Sequence, residues 1–162
     1  MADVVQPKAL EAPPNVPRWL VRTIWIVHRA AYSLTRGRFG LRPATDSQWG
    51  MLRLRTIGRK SGNERVAIVG FIQDGANLVT PAMNGWADPE PAWWLNLQAK
   101  PVATVELPDG SSRAVGARAA AGDERARLWR RFVGLGSSAF SDANAATRSR
   151  ETAIVILEPR LD

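Results

Sequence analysis

Short apolar segments joined by tight turns constrain the fold of this chain more than any other feature of its sequence. Asp74-Gly75 separates two of these segments and Pro108-Asp109-Gly110 separates two others, and both turns are typical of β-hairpins. Because a hairpin joins neighbouring strands, the predicted sheet is mainly antiparallel. Six segments read as strands: Trp49–Thr56, Val66–Gln73, Asn77–Met83, Val102–Leu107, Ser112–Ala120 and Ala153–Leu157.

The side-chain pattern of the strands predicts how they close. Trp49–Thr56 alternates between two faces, whereas Val66–Gln73 is apolar enough to be buried on both faces. A chain of 162 residues can bury one real core, and six strands of this size close most easily into a small barrel with helices outside. Strands and helices do not alternate regularly, which argues against a Rossmann fold. The predicted class is therefore α+β, a mainly antiparallel six-stranded barrel with peripheral helices.

Three helices are predicted around this barrel. Val16–Leu34 is basic, carries tryptophans and has a broad apolar stripe; it either packs on its own domain, the interpretation that we favour, or lies on a membrane surface. A second helix occupies residues 91–100, and a charged helix spans Asp123–Val133. Residues 1–15 are then an extended arm, and residues 16–162 form a single domain.

The residue types that are missing exclude several kinds of site. The chain has no cysteine, which removes disulfides, thiolate-bound metals and thiol nucleophiles. Its only histidine, His28, has neither a second histidine nor a cluster of acids beside it, so no metal site is expected. The N-terminus lacks a signal-peptide pattern and no apolar run reaches about 18 residues. We therefore expect a cytoplasmic protein; contact with the inner membrane face stays open through the first helix.

The chain is strongly basic, and almost all of its cations are arginines. The net charge is +7, and only Lys8, Lys60 and Lys100 are lysines. Arginine binds planar anions bidentately, so nucleic acid, an anionic membrane or an anionic small molecule are candidate partners, and a merely solvated basic surface is the alternative. Because the arginines are spread over all elements, no nucleic-acid partner is expected.

One basic turn is a candidate anion site. Gly58–Arg65 has two glycines that permit a tight turn, surrounded by three cations and a hydroxyl. Such a turn is either a phosphate cradle or a polar hairpin loop. Gly134–Ala139 has the spacing of a dinucleotide fingerprint, but it follows a helix instead of a strand and is interpreted as a loop.

Two motifs together resemble one known family. LRTIGRKSGNERV (Leu54–Val66) is followed by NGWADPEPAWWLNLQAKP (Asn84–Pro101), and IVILEP (Ile154–Pro159) closes the chain. In this order they resemble the deazaflavin-dependent nitroreductases of actinobacteria. The resemblance implies a split β-barrel and binding of coenzyme F420, an 8-hydroxy-5-deazaflavin with a phosphodiester and an oligoglutamate tail; FMN is less expected. The basic turn would then bind the anionic tail.

The resemblance also implies roles for individual residues. The phosphate and tail would be held by the basic turn, and a loop would lie beside it. The deazaflavin ring would be lined by the start of the second helix and backed by the neighbouring strand. Adjacent helical positions point about 100° apart, so one tryptophan would anchor the helix while the other borders the ring. The implied cofactor residues are Arg59, Lys60, Ser61, Gly62, Arg65, Ile68, Gly70, Met83, Asn84, Gly85, Ala92, Trp93, Trp94 and Asn96.

The residues that contact the substrate in the nitroreductases are not kept in this chain. The nitroreductases place tyrosines before the last strand, whereas Ser137–Arg148 contains none; Ser138, Ser141 and Asn144 are the weak candidates left. The leading hypothesis is hydride transfer to a quinone, enone or nitro compound. The alternative is a non-catalytic split-barrel binder of a flavin, haem or fatty acyl ligand, either associated with a membrane or not. Both a monomer and a homodimer remain open.

Overall fold

Six antiparallel strands form a closed barrel, as the hairpin pattern predicts. The computed structural model describes residues 40–83, 89–135 and 150–160. The strands follow the order β1-β2-β3-β6-β5-β4 around the barrel, and β1 closes it by pairing with β4. The elements are β1 (Gly50–Ile57), β2 (Glu64–Asp74), β3 (Asn77–Pro81), α1 (Ala92–Ala99), β4 (Val102–Glu106), β5 (Ser112–Ala119), α2 (Gly122–Gly134) and β6 (Ile154–Pro159).

The barrel interior forms the first hydrophobic core. Strand side chains alternate between the two faces, so Leu52 and Leu54 of β1 point inward and are fully buried. Their inward neighbours on other strands include Val105 and Val115. Residues of α1 join the same cluster, and this helix contacts β1 and β2. The helix therefore completes the core that the strands enclose.

A second core lies outside the barrel wall, under α2. Leu128 and Phe132 of this helix are fully buried against Ile154 and Ile156, which are the outward residues of β6. The prediction that Asp123–Val133 is a helix facing the core is confirmed. Ion pairs from Arg127 and Arg131 to Asp74 also join α2 to the end of β2.

The prediction that Val66–Gln73 is buried on both faces is wrong for its first half. Val66 is 45% exposed, whereas Ile72 near the end of β2 is buried. The reason is that α2 covers the outer wall only at Ile72 and its neighbours, whereas the buried residues of α1 join the inner cluster.

The predicted first helix, Val16–Leu34, and the arm at residues 1–15 lie outside the described residues. Gly40–Asp162 forms one compact unit. Within the described ranges, no helix combines the length and the apolar character that crossing a membrane requires.

Candidate functional site

The basic turn connects β1 to β2 and is closed by its own backbone. The Gly58 N–H donates to the carbonyl oxygen of Asn63, and the Gly62 N–H donates to that of Gly58, both at 2.8 Å. Gly62 has a φ of 68°, a conformation that glycine adopts without steric cost. A Cβ on Gly58 would stand 2.9 Å from Ser61 Oγ, so the turn folds tightly over this glycine. A side chain at position 58 would thus require Ser61 to shift, and one at position 62 would strain the backbone.

A buried amide on α1 attaches this turn to the helix. Asn96 Oδ1 accepts the backbone N–H of Arg59 at 3.1 Å and its guanidinium Nη1 at 3.4 Å. The amide Nδ2 donates to Thr56 Oγ1, the last inward side chain of β1, at 3.2 Å. Asn96 is 4% exposed and Thr56 is 2% exposed. The sequence interpretation placed Asn96 beside the coenzyme ring, and it did not identify Thr56.

The cations of the turn have no carboxylate partner within the described chain. Arg59, Lys60 and Arg65 form no ion pair there, although Arg65 Nη2 donates to Ser61 Oγ at 3.3 Å. The one acidic residue of the segment, Glu64, faces Arg55 at 3.1 Å. By contrast, the arginines that do form ion pairs are Arg53, Arg55, Arg118, Arg125, Arg127 and Arg131. The turn is thus a place where unneutralised positive charge is concentrated.

Two backbone donors add to this charge. The N–H groups of Gly58, Arg59 and Gly62 are used within the protein, while those of Lys60 and Ser61 have no acceptor in the described ranges. Consecutive free N–H groups beside cations are a donor set suited to a phosphate. The chemistry of the turn therefore fits an anionic ligand.

The neighbouring outer face of the barrel is electrically balanced. Glu106 of β4 accepts Arg53 at 3.1 Å and Arg55 at 3.2 Å. The hydrogen bond from Arg55 to Glu106 is the main cause that raises the pKa of Arg55. Because each cation on this face has an acidic partner, the face next to the turn has little charge to offer a ligand.

Trp93 and Trp94 are both buried in one core cluster. They are 8% and 6% exposed, with ring centroids 6.4 Å apart in an edge-to-face contact, and the role of one of them beside the coenzyme ring stays a prediction. The core extends far enough around this side of α1 to bury both rings, although they point in different directions. The indole N–H of Trp94 is buried and has no acceptor within the described ranges, so this donor is unsatisfied there.

The other implied ring residues are distributed over the barrel wall. Ile68 is partly buried on the outer face of β2, opposite Arg53. The space beside Gly70 is filled by Trp49, because a Cβ on Gly70 would lie 2.6 Å from Trp49 Cε3. Met83 packs against the core under α2, and Ala92 is exposed at the first position of α1.

Several predicted site residues lie outside the described ranges. These are the loop residues Asn84 and Gly85 and the weak catalytic candidates Ser138, Ser141 and Asn144. Among the residues that the structure does describe, no group of three or more acidic, histidine or cysteine side chains is placed to hold a metal ion.

A family model and a sequence relative point to one family. Residues 26–159 match the family model described as F420H(2)-dependent quinone reductase. Rv3178 of Mycobacterium tuberculosis (strain ATCC 25618 / H37Rv), whose name places it among the F420H(2)-dependent quinone reductases, is 34% identical over 111 residues. That alignment covers 67% of this chain and 89% of the relative.

Solved structures share the barrel. The structure described as the F420-H2 dependent reductase FDR-A is 23% identical, with a TM-score of 0.59 over 67% of this chain and 93% of that chain. A structure described as a domain-swapped dimer is 22% identical, with a TM-score of 0.60 over 85% of this chain and 99% of the other. At these identities the two structures show a common fold, which confirms the predicted split barrel.

Proposed function

The chain belongs to the F420H(2)-dependent quinone reductase family and is therefore an oxidoreductase that uses coenzyme F420, and we propose that it transfers hydride from the reduced coenzyme to a quinone. When bound, the reduced coenzyme supplies the hydride. The protein supplies binding, orientation and electrostatic complementarity. The observation that carries this proposal is the concentration of unpaired cations in the turn between β1 and β2.

The turn binds the anionic part of the coenzyme. Arg59, Lys60 and Arg65 attract the phosphodiester and the glutamate carboxylates, and the N–H groups of Lys60 and Ser61 donate to phosphate oxygens. A charge-assisted contact of this kind contributes about 1.5–3 kcal/mol. FMN carries no polyanionic tail, so the same turn favours the deazaflavin coenzyme over FMN.

The deazaflavin ring of the coenzyme lies at the start of α1. Pro91 precedes the first turn of this helix. The N–H groups of Ala92 and Trp93 have no acceptor in the described ranges, whereas that of Trp94 already donates to the Pro91 carbonyl. Ala92, Trp93 and Trp94 border the ring from α1, whereas Gly70 does not back it, because Trp49 fills the space beside Gly70. The role of the tryptophan pair is mainly to hold α1 rigidly, since both rings are buried.

The acceptor is a quinone because the chain offers little proton chemistry. Hydride addition leaves negative charge that a proton donor or hydrogen bonds must stabilise. The only tyrosine, Tyr32, is far in sequence from Ser138, Ser141 and Asn144, and serine and asparagine side chains are poor acids near neutral pH. A reduced quinone delocalises its charge and needs less help than a reduced nitro group.

An anaerobic assay tests this function. Purified full-length protein is mixed with reduced coenzyme F420 and either a soluble naphthoquinone or a bicyclic nitroimidazole, and oxidation of the coenzyme is followed by its absorbance. We expect turnover with the quinone and slow or no turnover with the nitroimidazole. Faster reduction of the nitroimidazole would overturn the quinone assignment, and binding of the coenzyme without turnover on any acceptor would favour a non-catalytic binder.

A fluorescence titration tests the choice of cofactor separately. The chain has seven tryptophans, two of them at the proposed ring site, so ligand binding is expected to change the emission. We expect tighter binding of coenzyme F420 than of FMN. Equal or tighter binding of FMN would contradict the proposed use of the turn.

A further inference from the structure

We propose that Asn96 is a positioning residue that fixes the basic turn against α1 and so aims its cations and N–H groups at the anionic part of the coenzyme, an inference that rests on the proposed function. Asn96 is buried, and its amide uses both ends: Oδ1 accepts from Arg59 and Nδ2 donates to Thr56. It is therefore directed at the turn and at β1, and it acts on the ligand through them.

The hydrogen bonds divide into those that shape the turn and those that place it. The bonds from Gly58 to Asn63 and from Gly62 to Gly58 close the turn on itself. The bonds of Asn96 join it to another element, 37 residues away at Arg59 and 40 residues away at Thr56. Removing the amide thus leaves the internal shape of the turn and releases its attachment to α1.

An amide serves both partners at this position without adding charge. A carboxylate would accept from the Arg59 donors and from the Thr56 hydroxyl, but it would place a negative charge beside a cation that the ligand needs. An alanine or leucine leaves the buried Thr56 hydroxyl and the Arg59 N–H without the partner that they have now. Thr56 is only 2% exposed, so water does not readily replace the Asn96 amide as its hydrogen-bond partner.

The test uses two ligands that share a ring and differ in charge. Wild type and Asn96→Ala, as full-length proteins, are titrated with coenzyme F420 and with the deazaflavin chromophore that lacks the phosphate and the glutamate tail. We expect Asn96→Ala to lose about tenfold or more in affinity for the complete coenzyme, the size of one charge-assisted contact. We expect less than about a twofold change for the tail-less chromophore. Gln98→Ala, which removes an exposed amide from the same helix, is the matched control and should change neither.

A second pair of variants keeps the test decisive if Asn96→Ala does not fold. Thr56→Val removes the acceptor of Nδ2 with little change of shape, and Thr56→Ser restores it. We expect a tail-specific loss with the valine variant and recovery with the serine variant. In addition, Lys60→Ala should cost less in the Asn96→Ala or Thr56→Val background than alone, because a turn that has moved no longer presents Lys60 to the tail.

The outcomes separate this inference from the proposed function. If wild type binds the coenzyme and the variants lose affinity equally for both ligands, Asn96 acts on the ring or on folding and the inference is overturned. Additive losses with Lys60→Ala would overturn it as well. If wild type does not bind the coenzyme, the proposed function fails, and this inference fails with it.

Discussion

The indole of Trp49 lies over the backbone of Gly70, so closely that a Cβ at position 70 would stand 2.6 Å from its Cε3 and 2.7 Å from its Cζ3. The Trp49 ring is also held by the guanidinium of Arg42, whose Cζ lies 4.7 Å from the ring centroid. This contact fixes the segment before β1 to the outer face of β2. Gly70 is therefore a site of close packing, and the ring that backs it belongs to the protein itself.

Gly70→Ala should destabilise the protein by about 1–3 kcal/mol, the usual cost of overpacking a filled site. The free energy of unfolding measured in urea checks this. Gly116→Ala is the matched control on β5, because the nearest atom to its new Cβ would be Arg160 Cγ at 4.0 Å. We expect the control to be neutral or slightly stabilising. Equal effects of the two substitutions would show that Trp49 does not fill the space beside Gly70 in solution.

Asp74→Asn should lower stability at neutral pH, and the difference from wild type should close in acid. Hydrogen bonds from Arg127, followed by the charges of Arg127 and Arg131, hold the pKa of Asp74 below its ordinary value. A lowered folded-state pKa means that the carboxylate stabilises the fold above the unfolded pKa and that this contribution is lost as pH falls through the folded pKa. We expect a difference of about 1 kcal/mol at pH 7 that shrinks below about pH 4.

Urea unfolding at several pH values measures this difference. Asp46→Asn is the control, since Asp46 forms no ion pair within the described ranges. A difference between Asp74→Asn and wild type that stays constant from neutral pH to pH 3 would contradict the ion-pair explanation, because protonation removes the same charge as the substitution.

The barrel could be predicted because its signals are local. A period of two places Leu52 and Leu54 on one face, and turns such as Asp74-Gly75 join adjacent strands whatever surrounds them. The attachment of Arg59 to Asn96 could not be predicted this way, because it depends on two segments 37 residues apart meeting in space. One signal was present: Thr56 continues the inward alternation of β1, and a buried hydroxyl requires a partner.

The wrong prediction for Val66 and the unforeseen burial of both tryptophans have one cause, which is that burial was inferred from one element at a time. Trp93 and Trp94 point in different directions from α1, yet both meet the core because the barrel interior extends around this side of the helix. Val66 has an apolar sequence environment, yet it is exposed because the helix that covers the outer wall reaches only the far end of β2. Which faces are covered is a property of the assembled fold.

Lys60→Ala should weaken binding of coenzyme F420 by about tenfold or more, the loss expected for one charge-assisted contact. The loss should be larger at low salt, because added ions screen the exposed turn. Fluorescence titration at two ionic strengths measures both effects. Lys100→Ala removes another exposed lysine, at the C-terminal end of α1, and should change little. Wild-type affinity that does not depend on salt would indicate that the turn has no electrostatic role.

Trp94→Phe should show separately what the buried indole N–H costs in stability and what it contributes to coenzyme binding. The Trp94 N–H has no acceptor among the described residues, and an unsatisfied buried donor costs about 1–3 kcal/mol, so its removal offsets part of the cost of the smaller ring. Trp93→Phe, in the same cluster with its ring centroid 6.4 Å away, is the matched control and should be more destabilising by about 1 kcal/mol or more. We expect the order to reverse in coenzyme affinity, with Trp94→Phe losing about fivefold or more because the orphaned N–H finds its acceptor on the ligand. Equal stability and equal affinity of the two variants would mean that this N–H is already satisfied in the free protein, and the start of α1 would then contribute only packing to the site.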